Sequence, residues 1–507
     1  MTDTMDSRRF ASDLVIDTRE ISQSLAPPMC ELVPCRMTRT QKSILVLLAL
    51  LKFVAMGLFS VIAPYYHLEA HQRQLSDVIV GAVFTAYAGA NFLTSPIFGR
   101  IIAETGPQIV LLLGSSLLGI SAVSFSFLTS VSDPSTFCAL SIFVRTLQGI
   151  GCGAAGTAIF TYVAEVFPRR TGIIMGVMEV MTAIGLNAGP AVGGYLHSVG
   201  GFKLPSLVLG FMCLATVPLN AFLLPRSINA ENCVPKTPRT PGGRRVSKWT
   251  LLINVQFIVA ALSTTAVSCA SAFLSPLLAP QLSKLGMNTS QIGMMFLFSP
   301  IAYGLVGPIA GWISDENPKW RRLQTSAGLG LLCIALLLLG PSPIIERILR
   351  SGVSLSIVAL CIKGLGSTIA VVPTFQIMLD TATNLGILNN LATHSMISGL
   401  WSSAWSFGEV LGPTLGTVIS SSYGFGWAST VLACWSIVVY IVESTTVENN
   451  CPKKKTNLEK DEDATLNNIL FVASKAAAPS SCHSVVCSGP MRADRKFPSR
   501  DENSGCF

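Results

Sequence analysis

Five charged residues lie within long apolar stretches of this sequence, where a charge is costly. They are Lys52, Arg145, Glu179, Lys363 and Glu409. At the centre of an apolar helix each costs about 2.5–3.5 kcal/mol on membrane-insertion scales. A residue kept at that cost needs a role, such as ion pairing, proton transfer or the binding of a charged ligand. The two acids are the candidates for binding a proton or a cation.

Arg145 begins the segment RTLQGIG, and Glu179 lies on the helix predicted to follow it. A fixed positive charge near a titratable acid changes the acid's affinity for protons, so relative movement of the two groups would switch proton binding. The alternative is structural, with Arg145 in an ion pair or hydrogen-bonded to irregular backbone. We take Arg145 and Glu179 as the candidate proton-coupling pair.

The other three charges are candidates for substrate binding or interhelical pairing. The sequence contains an internal repeat, described below, in which Lys363 is the counterpart of Gln148 (363 − 148 = 215). Each half therefore carries a polar residue at the same position of the repeat. Glu409 is a substrate ligand or half of an interhelical pair. The same choice holds for Lys52, although its long side chain favours reaching the membrane surface.

Four aromatic residues in the predicted helices are candidates for lining a cavity: Tyr303, Trp401, Trp405 and Phe407. An organic cation is attracted to the face of an aromatic ring. The alternative is that these rings pack in the core or against lipid.

A glycine motif occupies the predicted helix that contains Glu179, in the segment GVMEVMTAIGLNAGPAVGG. Its members are Gly176, Gly185, Gly189, Pro190, Gly193 and Gly194. Three of the glycines recur every fourth residue, which predicts a stripe where a neighbouring helix approaches to backbone contact. Pro190 is expected to bend the helix.

The motif occurs twice. Its second copy comprises Gly399, Gly408, Gly412, Pro413 and Gly416, each 223 residues after its counterpart, as in 412 − 189 = 223. Gly149 and Gly364 are 215 residues apart, and Gly99 and Gly311 are 212 apart. The chain is therefore a duplication, and parallel repeats in an apolar chain are typical of secondary transporters.

Composition places the chain among membrane proteins that cross the bilayer many times. Half of the residues are hydrophobic, 12% are charged and the mean hydropathy is +0.56. The net charge of +8 follows from basic cytosolic loops and does not require a nucleic-acid partner. The first 42 residues are polar, so we expect no cleavable signal peptide.

Hydropathy predicts twelve transmembrane helices in two six-helix halves, each near the roughly 20 residues that a span needs. The predicted spans are 43–66, 77–98, 108–130, 137–162, 172–196, 204–224, 250–279, 290–314, 324–343, 353–379, 394–420 and 426–443.

The predicted domains follow from these spans. They are a disordered N-terminus (1–42), an N-terminal half (43–224), a linker (225–249), a C-terminal half (250–443) and a disordered tail (444–507). Lys and Arg are concentrated in the loops on one side, which predicts that both termini are cytosolic.

Two loops between helices are candidates for gating. In GPIAGWISDENPKWRR, Gly311 and Asp315 precede a basic cluster that includes Arg321, a combination suited to latching neighbouring helix ends. In PIFGRIIAETGPQ, the first half keeps Gly99 and Arg100 but has Ala103 where the acid would fall. We therefore expect a weaker latch in the N-terminal half. Separately, Asn288-Thr289-Ser290 is an acceptor sequon for glycosylation and predicts a lumenal loop.

These motifs resemble those of the major facilitator superfamily, in particular of its proton antiporters. Gly311 with Asp315 resembles the family's loop signature after helix 8. RTLQG from Arg145 resembles its helix-4 signature, and Gly176–Gly194 resembles its helix-5 antiporter signature. The chain is thus expected to be an all-α membrane protein with the twelve-helix major facilitator fold.

Within the superfamily, several segments are similar to the B-type, vesicular polyamine transporter branch of solute carrier family 18. They are TVPLNAFLLP (216–225), VVPTFQIM (371–378), SGLWSSAWSFGEVLGPTLG (398–416) and GFGWAS (424–429). The monoamine branch carries acids at positions that match Ala55 and Ser402, which disfavours monoamines and acetylcholine. The resemblance implies exchange of protons for a polyamine or related amine across a vesicular membrane, chiefly through Glu179 with Glu409 as second acid.

We therefore expect a proton-coupled antiporter that works by alternating access in a vesicular or plasma membrane. Its partners are the lipid bilayer, protons and a small amine, and we expect a monomer. No cofactor, metal site or enzyme activity is expected. Two alternatives stay open: a carrier of organic anions or drugs with the same fold, and a transport-inactive membrane sensor or scaffold.

Overall fold

The computed structural model of the chain describes residues 37–75, 77–224, 248–287, 289–340 and 352–449. Regular structure in these residues is helical, with no strand. The α-helices are α1 (Arg39–Ser60), α2 (Ala63–Gln72), α3 (Asp77–Thr105), α4 (Pro107–Ser126), α5 (Pro134–Val166), α6 (Thr171–Gly200), α7 (Lys203–Leu223), α8 (Lys248–Ile253), α9 (Val255–Lys284), α10 (Thr289–Glu316), α11 (Arg321–Leu339), α12 (Val353–Asn384), α13 (Leu391–Tyr423) and α14 (Phe425–Asn449).

Polar side chains mark where several of these helices begin. Asp133 accepts a hydrogen bond of 2.7 Å from the backbone N–H of Thr136, next to Pro134 in the first turn of α5. The hydroxyl of Thr136 also donates to this carboxylate and, with the backbone bond, lowers the pKa of Asp133 from its ordinary value. Asn390 caps α13 in the same manner. These caps satisfy N–H groups that a helix leaves free at its start.

Ten helices in the described residues are long and apolar enough to cross a membrane, α1 being counted together with α2. The two long helices outside that set are α3 and α13, which pack against each other. Their polar groups face one another: Ser403 of α13 donates to the carbonyl of Phe92 at 2.8 Å. Burial in this contact explains how both helices tolerate a more polar sequence. The predicted all-helical membrane fold is confirmed.

The duplication is visible in the packing of the helices. A Cβ added to Gly151 of α5 would lie 2.7 Å from the backbone nitrogen of Leu118, and one added to Gly366 of α12 would lie 2.7 Å from that of Leu332. These pairs are separated by nearly the same offset (366 − 151 = 215; 332 − 118 = 214). Helices α4 and α5 therefore meet at the same backbone contact as α11 and α12.

Other helix pairs repeat in the same way. Helix α1 packs on α6 as α9 packs on α13, α3 packs on α5 as α10 packs on α12, and α4 packs on α7 as α11 packs on α14. The two halves meet through α3 with α13 and through α6 with α10, which are equivalent contacts under the repeat. A pseudo-twofold arrangement therefore relates the halves.

The predicted domain limits are compared with the helices only where the structure describes them. Helix α8 begins at Lys248, at the end of the predicted linker, and α14 continues to Asn449, beyond the predicted boundary at residue 443. Residues 1–36, 225–247 and 450–507 lie outside the described residues, and so does the predicted glycosylation site Asn288.

Candidate functional site

Glu179 lies where the two halves of the chain meet. It is on α6 and only 1% exposed, and its Oε2 accepts a 2.8 Å hydrogen bond from the hydroxyl of Tyr303 on α10. Tyr303 itself is 6% exposed. The predicted acid therefore has its described hydrogen-bond partner in the opposite half, so relative motion of the halves changes its surroundings.

Glu409 is the second acid of the predicted site. It is half-buried on α13, and its Oε1 accepts a 2.9 Å hydrogen bond from the indole N–H of Trp405 one turn earlier. Glu409 and Glu179 interact electrostatically. The two acids thus belong to one electrostatic cluster, although they come from different halves.

Lys52 is the third member of this cluster. It is on α1 and 7% exposed, and its ammonium lies 4.9 Å from the centre of the Phe160 ring. It interacts electrostatically with both Glu179 and Glu409. The favoured expectation that Lys52 reaches the membrane surface is wrong, because α1 packs against α5 and α6 and directs this side chain inward.

Aromatic rings lie beside these charges. Phe160 meets Trp401 edge-on at 4.6 Å between ring centres, and Trp401 is followed at 6.0 Å by Trp405. The indole N–H of Trp401 donates to the hydroxyl of Thr374 at 2.9 Å, which fixes that ring. The sequence singled out both tryptophans. It missed Phe160, which carries no signal that distinguishes it from other apolar residues of a spanning helix.

Phe407 differs from the other predicted aromatics. It is 37% exposed and stacks on Phe92 at 5.1 Å between ring centres. Its described partner is therefore a ring of α3 in the other half, away from the contacts made by Trp401 and Trp405.

Arg145 is fully buried on α5, but its described partners do not include Glu179. Its guanidinium donates to the carbonyls of Leu58 and Phe59, at 3.4 and 3.1 Å, and to Gln148 at 2.8 Å. Those carbonyls are in the last turn of α1, where helix carbonyls lack partners and cations are favoured. The structure thus shows the structural alternative for Arg145: it caps the end of α1.

Lys363 lies in the second half at the position that corresponds to Gln148, one turn after Arg145. Its ammonium donates to the hydroxyl of Ser271 on α9 at 2.8 Å, and the side chain is buried. Ser271 corresponds to Phe59 of α1 (271 − 59 = 212), and Lys363 corresponds to Gln148. A polar side chain at the same level of each half therefore ties two helices together: Arg145 ties α5 to α1, and Lys363 ties α12 to α9.

The glycine motifs divide into two kinds of contact. A Cβ on Gly176 would meet the carbonyl of Gly307 on α10, and a Cβ on Gly399 would lie 2.5 Å from the carbonyl of Ser95 on α3. These first glycines thus pack one half against the other. Within each half, the later glycines pack on α1 and its C-cap residue Val61, or on α9. Gly185 and Gly189 pack on α1, Gly193 on Val61, and Gly408, Gly412 and Gly416 on α9.

The remaining members of the motifs have different surroundings. Nothing lies within 4 Å of a Cβ built on Gly194. Pro190 and Pro413 are both inside uninterrupted helices, α6 and α13. Gly194 therefore completes the sequence pattern without making a close helix contact.

Asp315 joins the halves at the start of α6. Its carboxylate accepts hydrogen bonds of 2.8 Å from the backbone N–H groups of Gly172 and Ile173 and one of 2.7 Å from Gln376. An acid at a helix N-terminus is stabilised by the free N–H groups and the helix dipole. We call the end of the bundle where α6 and α13 begin the Asp315 end.

The other residues of the predicted gating loops lie at the same end. Arg321 donates to the carbonyl of Ser314 at 2.8 Å and forms an ion pair with Asp380. A Cβ on Gly311 would collide with the backbone of Gly172, so these loops pack tightly. Gly99 and exposed Arg100 line a cavity of about 320 Å³ with residues of α8 and α13.

A contact that the sequence did not predict joins the halves at this end. His394 Nδ1 of α13 lies 2.8 Å from Glu165 Oε1 of α5, and both side chains are mostly buried. Glu165 corresponds by repeat to Asp380 (380 − 165 = 215). Its partner is nevertheless in the opposite half, near the position where Ala103 replaces the expected acid.

Comparison with known proteins agrees with this architecture. The family model of the Major Facilitator Superfamily matches residues 45–393. The chain belongs to that superfamily and is a multi-pass membrane transporter.

Among the relatives, the chain is 30% identical over 406 residues to the MFS-type transporter SLC18B1 of Homo sapiens, covering 80% of this chain and 86% of the relative. It is 25% identical over 365 residues to the synaptic vesicular amine transporter of Mus musculus, covering 71% and 65%. The predicted resemblance is thus confirmed.

Two solved structures share the fold. The human organic anion transporter MFSD10 (TETRAN) has a TM-score of 0.61 at 15% identity, with 80% of this chain and 100% of that one covered. The proton:xylose symporter XylE has a TM-score of 0.63 at 14% identity, with 80% and 95% covered. At these identities the likeness concerns the fold alone.

Proposed function

We propose that the chain is a proton-coupled antiporter that moves a small organic cation, a polyamine or related amine, across a vesicular membrane by alternating access. Both termini are cytosolic in this proposal, which makes the Asp315 end cytosolic. The observation that carries it is the contact of buried Glu179 with Tyr303 of the opposite half. An acid at the interface between moving halves is suited to alternate between a proton and a cation.

Proton and amine compete for the same carboxylate. A buried carboxylate is stable only when neutralised by a proton or a nearby cation. Proton loss to the less acidic cytosol frees Glu179 to receive an amine, and protonation from the acidic lumen expels that amine. Tyr303 keeps or loses its hydrogen bond as α10 moves against α6, which couples the exchange to the motion of the halves.

The cluster has the chemistry of an amine site. Glu409 supplies a second acid, and Phe160 with Trp401 and Trp405 supplies ring faces that attract cations. The named amine transporters among the relatives support a cationic substrate for this chain as well. Glu179 and Glu409 stand on opposite halves, so a cation bound by both acids would link the halves.

An organic anion is the alternative substrate, because the five charges singled out by the sequence comprise three basic residues and only two acids. Two of the three have other partners: Arg145 binds carbonyls of α1, and Lys363 binds Ser271. Only Lys52 of these three interacts with the two acids, which favours the cation. A transport-inactive sensor or scaffold is the third candidate function.

Uptake into proteoliposomes separates these three functions. The full chain is reconstituted with an acidic interior, and radiolabelled spermidine and glutamate are offered outside in parallel. We expect accumulation of spermidine that collapses when the pH gradient is dissipated. Accumulation of glutamate instead would establish the anion carrier, and no uptake of either by correctly folded protein would favour the sensor or scaffold.

A further inference from the structure

Lys52 has the surroundings that an amine substrate would need, namely a ring face at contact distance and two acids whose charges it feels. Its side chain ends in a primary alkylammonium, which lies 4.9 Å from the centre of the Phe160 ring. The ammonium also interacts with the carboxylates of Glu179 and Glu409. A ring face and carboxylates are the groups that bind an organic ammonium ion. The protein thus carries a cation in a place suited to its substrate.

The setting of Lys52 differs from that of Arg145 and Lys363, the other two basic residues that the sequence places within apolar helices. Arg145 holds backbone carbonyls and Gln148, and Lys363 donates to a hydroxyl. Among the described residues, Lys52 has no hydrogen-bond partner. It is held by the Phe160 ring and by electrostatic attraction to the two acids. A side chain without a directional hydrogen bond is displaced more readily than one that caps a helix end.

The charge of the site depends on this lysine. With both acids ionised, Glu179 and Glu409 contribute two negative charges and Lys52 contributes one positive charge. Three other titratable groups face the cluster. Tyr303 of α10 donates to Glu179, Cys152 of α5 interacts with Lys52 and Glu409, and Tyr87 of α3 interacts with Glu409. Removing the ammonium therefore leaves two carboxylates to be neutralised by protons or by the ligand.

We propose that Lys52 is a tethered competitor of the transported amine: its ammonium holds the cation position beside Phe160, Glu179 and Glu409, and a substrate binds by displacing it. This inference rests on the proposed amine function. A tethered group acts at an effective concentration set by its short link to the site, so it lowers the apparent affinity of a free competitor. Its physical advantage is that the acids stay partly neutralised when no substrate is bound.

The test is equilibrium binding of radiolabelled spermidine to the purified full chain in lipid nanodiscs. Lys52→Met and Lys52→Gln are neutral variants of similar length, and Lys52→Arg keeps the charge. If Lys52 holds the site in about nine of ten molecules, the neutral variants bind roughly tenfold more tightly than the wild type. Lys52→Arg stays close to the wild type.

Lys42→Met is the matched control, because it removes the same charge from an exposed position on the same helix. It leaves spermidine affinity unchanged. Size-exclusion profiles and melting temperatures show that each variant is folded, and two neutral variants guard against the failure of one.

The outcomes separate this inference from the proposed function. Tighter binding by the neutral variants supports the tethered competitor. Wild-type binding with equal or weaker binding by folded neutral variants overturns the tethered competitor and leaves the amine function standing. Absence of spermidine binding in the wild type and in all folded variants overturns both.

Discussion

His394 of α13 lies 2.8 Å from Glu165 of α5, so a histidine and an acid join the two halves where the repeated gating loop of the N-terminal half lacks its acid. The other half uses Asp315, whose carboxylate caps the start of α6. Two different contacts therefore join the halves at the Asp315 end. When His394 is protonated, its contact is a partly buried ion pair.

Breaking the His394 contact should favour opening of the Asp315 end. The reporter is a cysteine introduced by Ser395→Cys at a buried position of α13. We predict that Glu165→Gln increases several-fold the rate at which a membrane-permeant maleimide modifies this cysteine. The reason is that the amide keeps the shape of the carboxylate and loses its charge. Glu69→Gln is the control, since it breaks the Arg73 ion pair within one half. An unchanged modification rate in Glu165→Gln would show that the contact does not hold the end closed.

Asp315→Asn should shift the same equilibrium more than a change at Ala103. The amide cannot accept from the N–H groups of Gly172 and Ile173 with the strength of a carboxylate, and the favourable charge at the start of α6 is lost. The cysteine introduced by Ser395→Cys reports the result again, and Ala103→Asn is the comparison. Equal and negligible effects of the two substitutions would refute the asymmetry of the two loops.

Adjacent glycines of the motif should respond differently to alanine. A Cβ at Gly193 collides with the backbone carbonyl of Val61, while a Cβ at Gly194 meets nothing within 4 Å. Gly193→Ala should lower the free energy of unfolding by about 1–3 kcal/mol through overpacking. Gly194→Ala should be neutral, or stabilising by about 0.5–1 kcal/mol through helix propensity. Thermal unfolding in detergent measures both, and similar melting temperatures for the two variants would contradict the α1–α6 contact.

Arg145→Lys should act on stability as well as on transport. Lysine keeps the charge but loses the planar group that reaches Leu58, Phe59 and Gln148 together. The lost hydrogen bonds predict a destabilisation of about 1–3 kcal/mol. Because Arg145 holds the end of α1, the helix that carries Lys52, we also expect weakened, not abolished, proton coupling. Melting temperature and gradient-driven uptake are measured on the same preparation. Arg169→Lys, at an exposed site, is the control, and an unaltered melting temperature for Arg145→Lys would contradict the capping role.

The internal repeat and the hydropathy pattern predicted most of the fold, because both are visible in the sequence without knowledge of which helices pack together. The glycine contacts followed from the four-residue spacing of Gly185, Gly189 and Gly193, which places them on one side of a helix. The spacing does not say which helix packs there. Gly176 therefore proved to face the opposite half, while the later glycines face α1.

The sequence identified which residues of the site carry charge, but it did not identify their hydrogen-bond partners. Glu179 and Glu409 stand out as acids in apolar helices, but Tyr303 has no local feature that ties it to Glu179, 124 residues away. Arg145 was assigned to Glu179 because sequence does not show where α1 ends or which carbonyls lack partners there. His394 and Glu165 escaped notice because each is at a helix end, where charged residues are ordinary.

The central claim is that Glu179 carries the proton that is exchanged for amine. Glu179→Gln mimics the protonated acid permanently and preserves a hydrogen-bond acceptor for Tyr303, so the protein should fold and reach the membrane. Glu104→Gln is the control, because it neutralises an exposed acid of α3.

The most direct measurement is spermidine uptake into proteoliposomes at several lumenal pH values for the wild type, Glu179→Gln and Glu104→Gln. We predict that accumulation rises with lumenal acidity in the wild type and in Glu104→Gln and is absent in Glu179→Gln. Accumulation by Glu179→Gln that responds to lumenal pH at near wild-type level would contradict the account and place the proton site elsewhere, with Glu409 as the next residue to test.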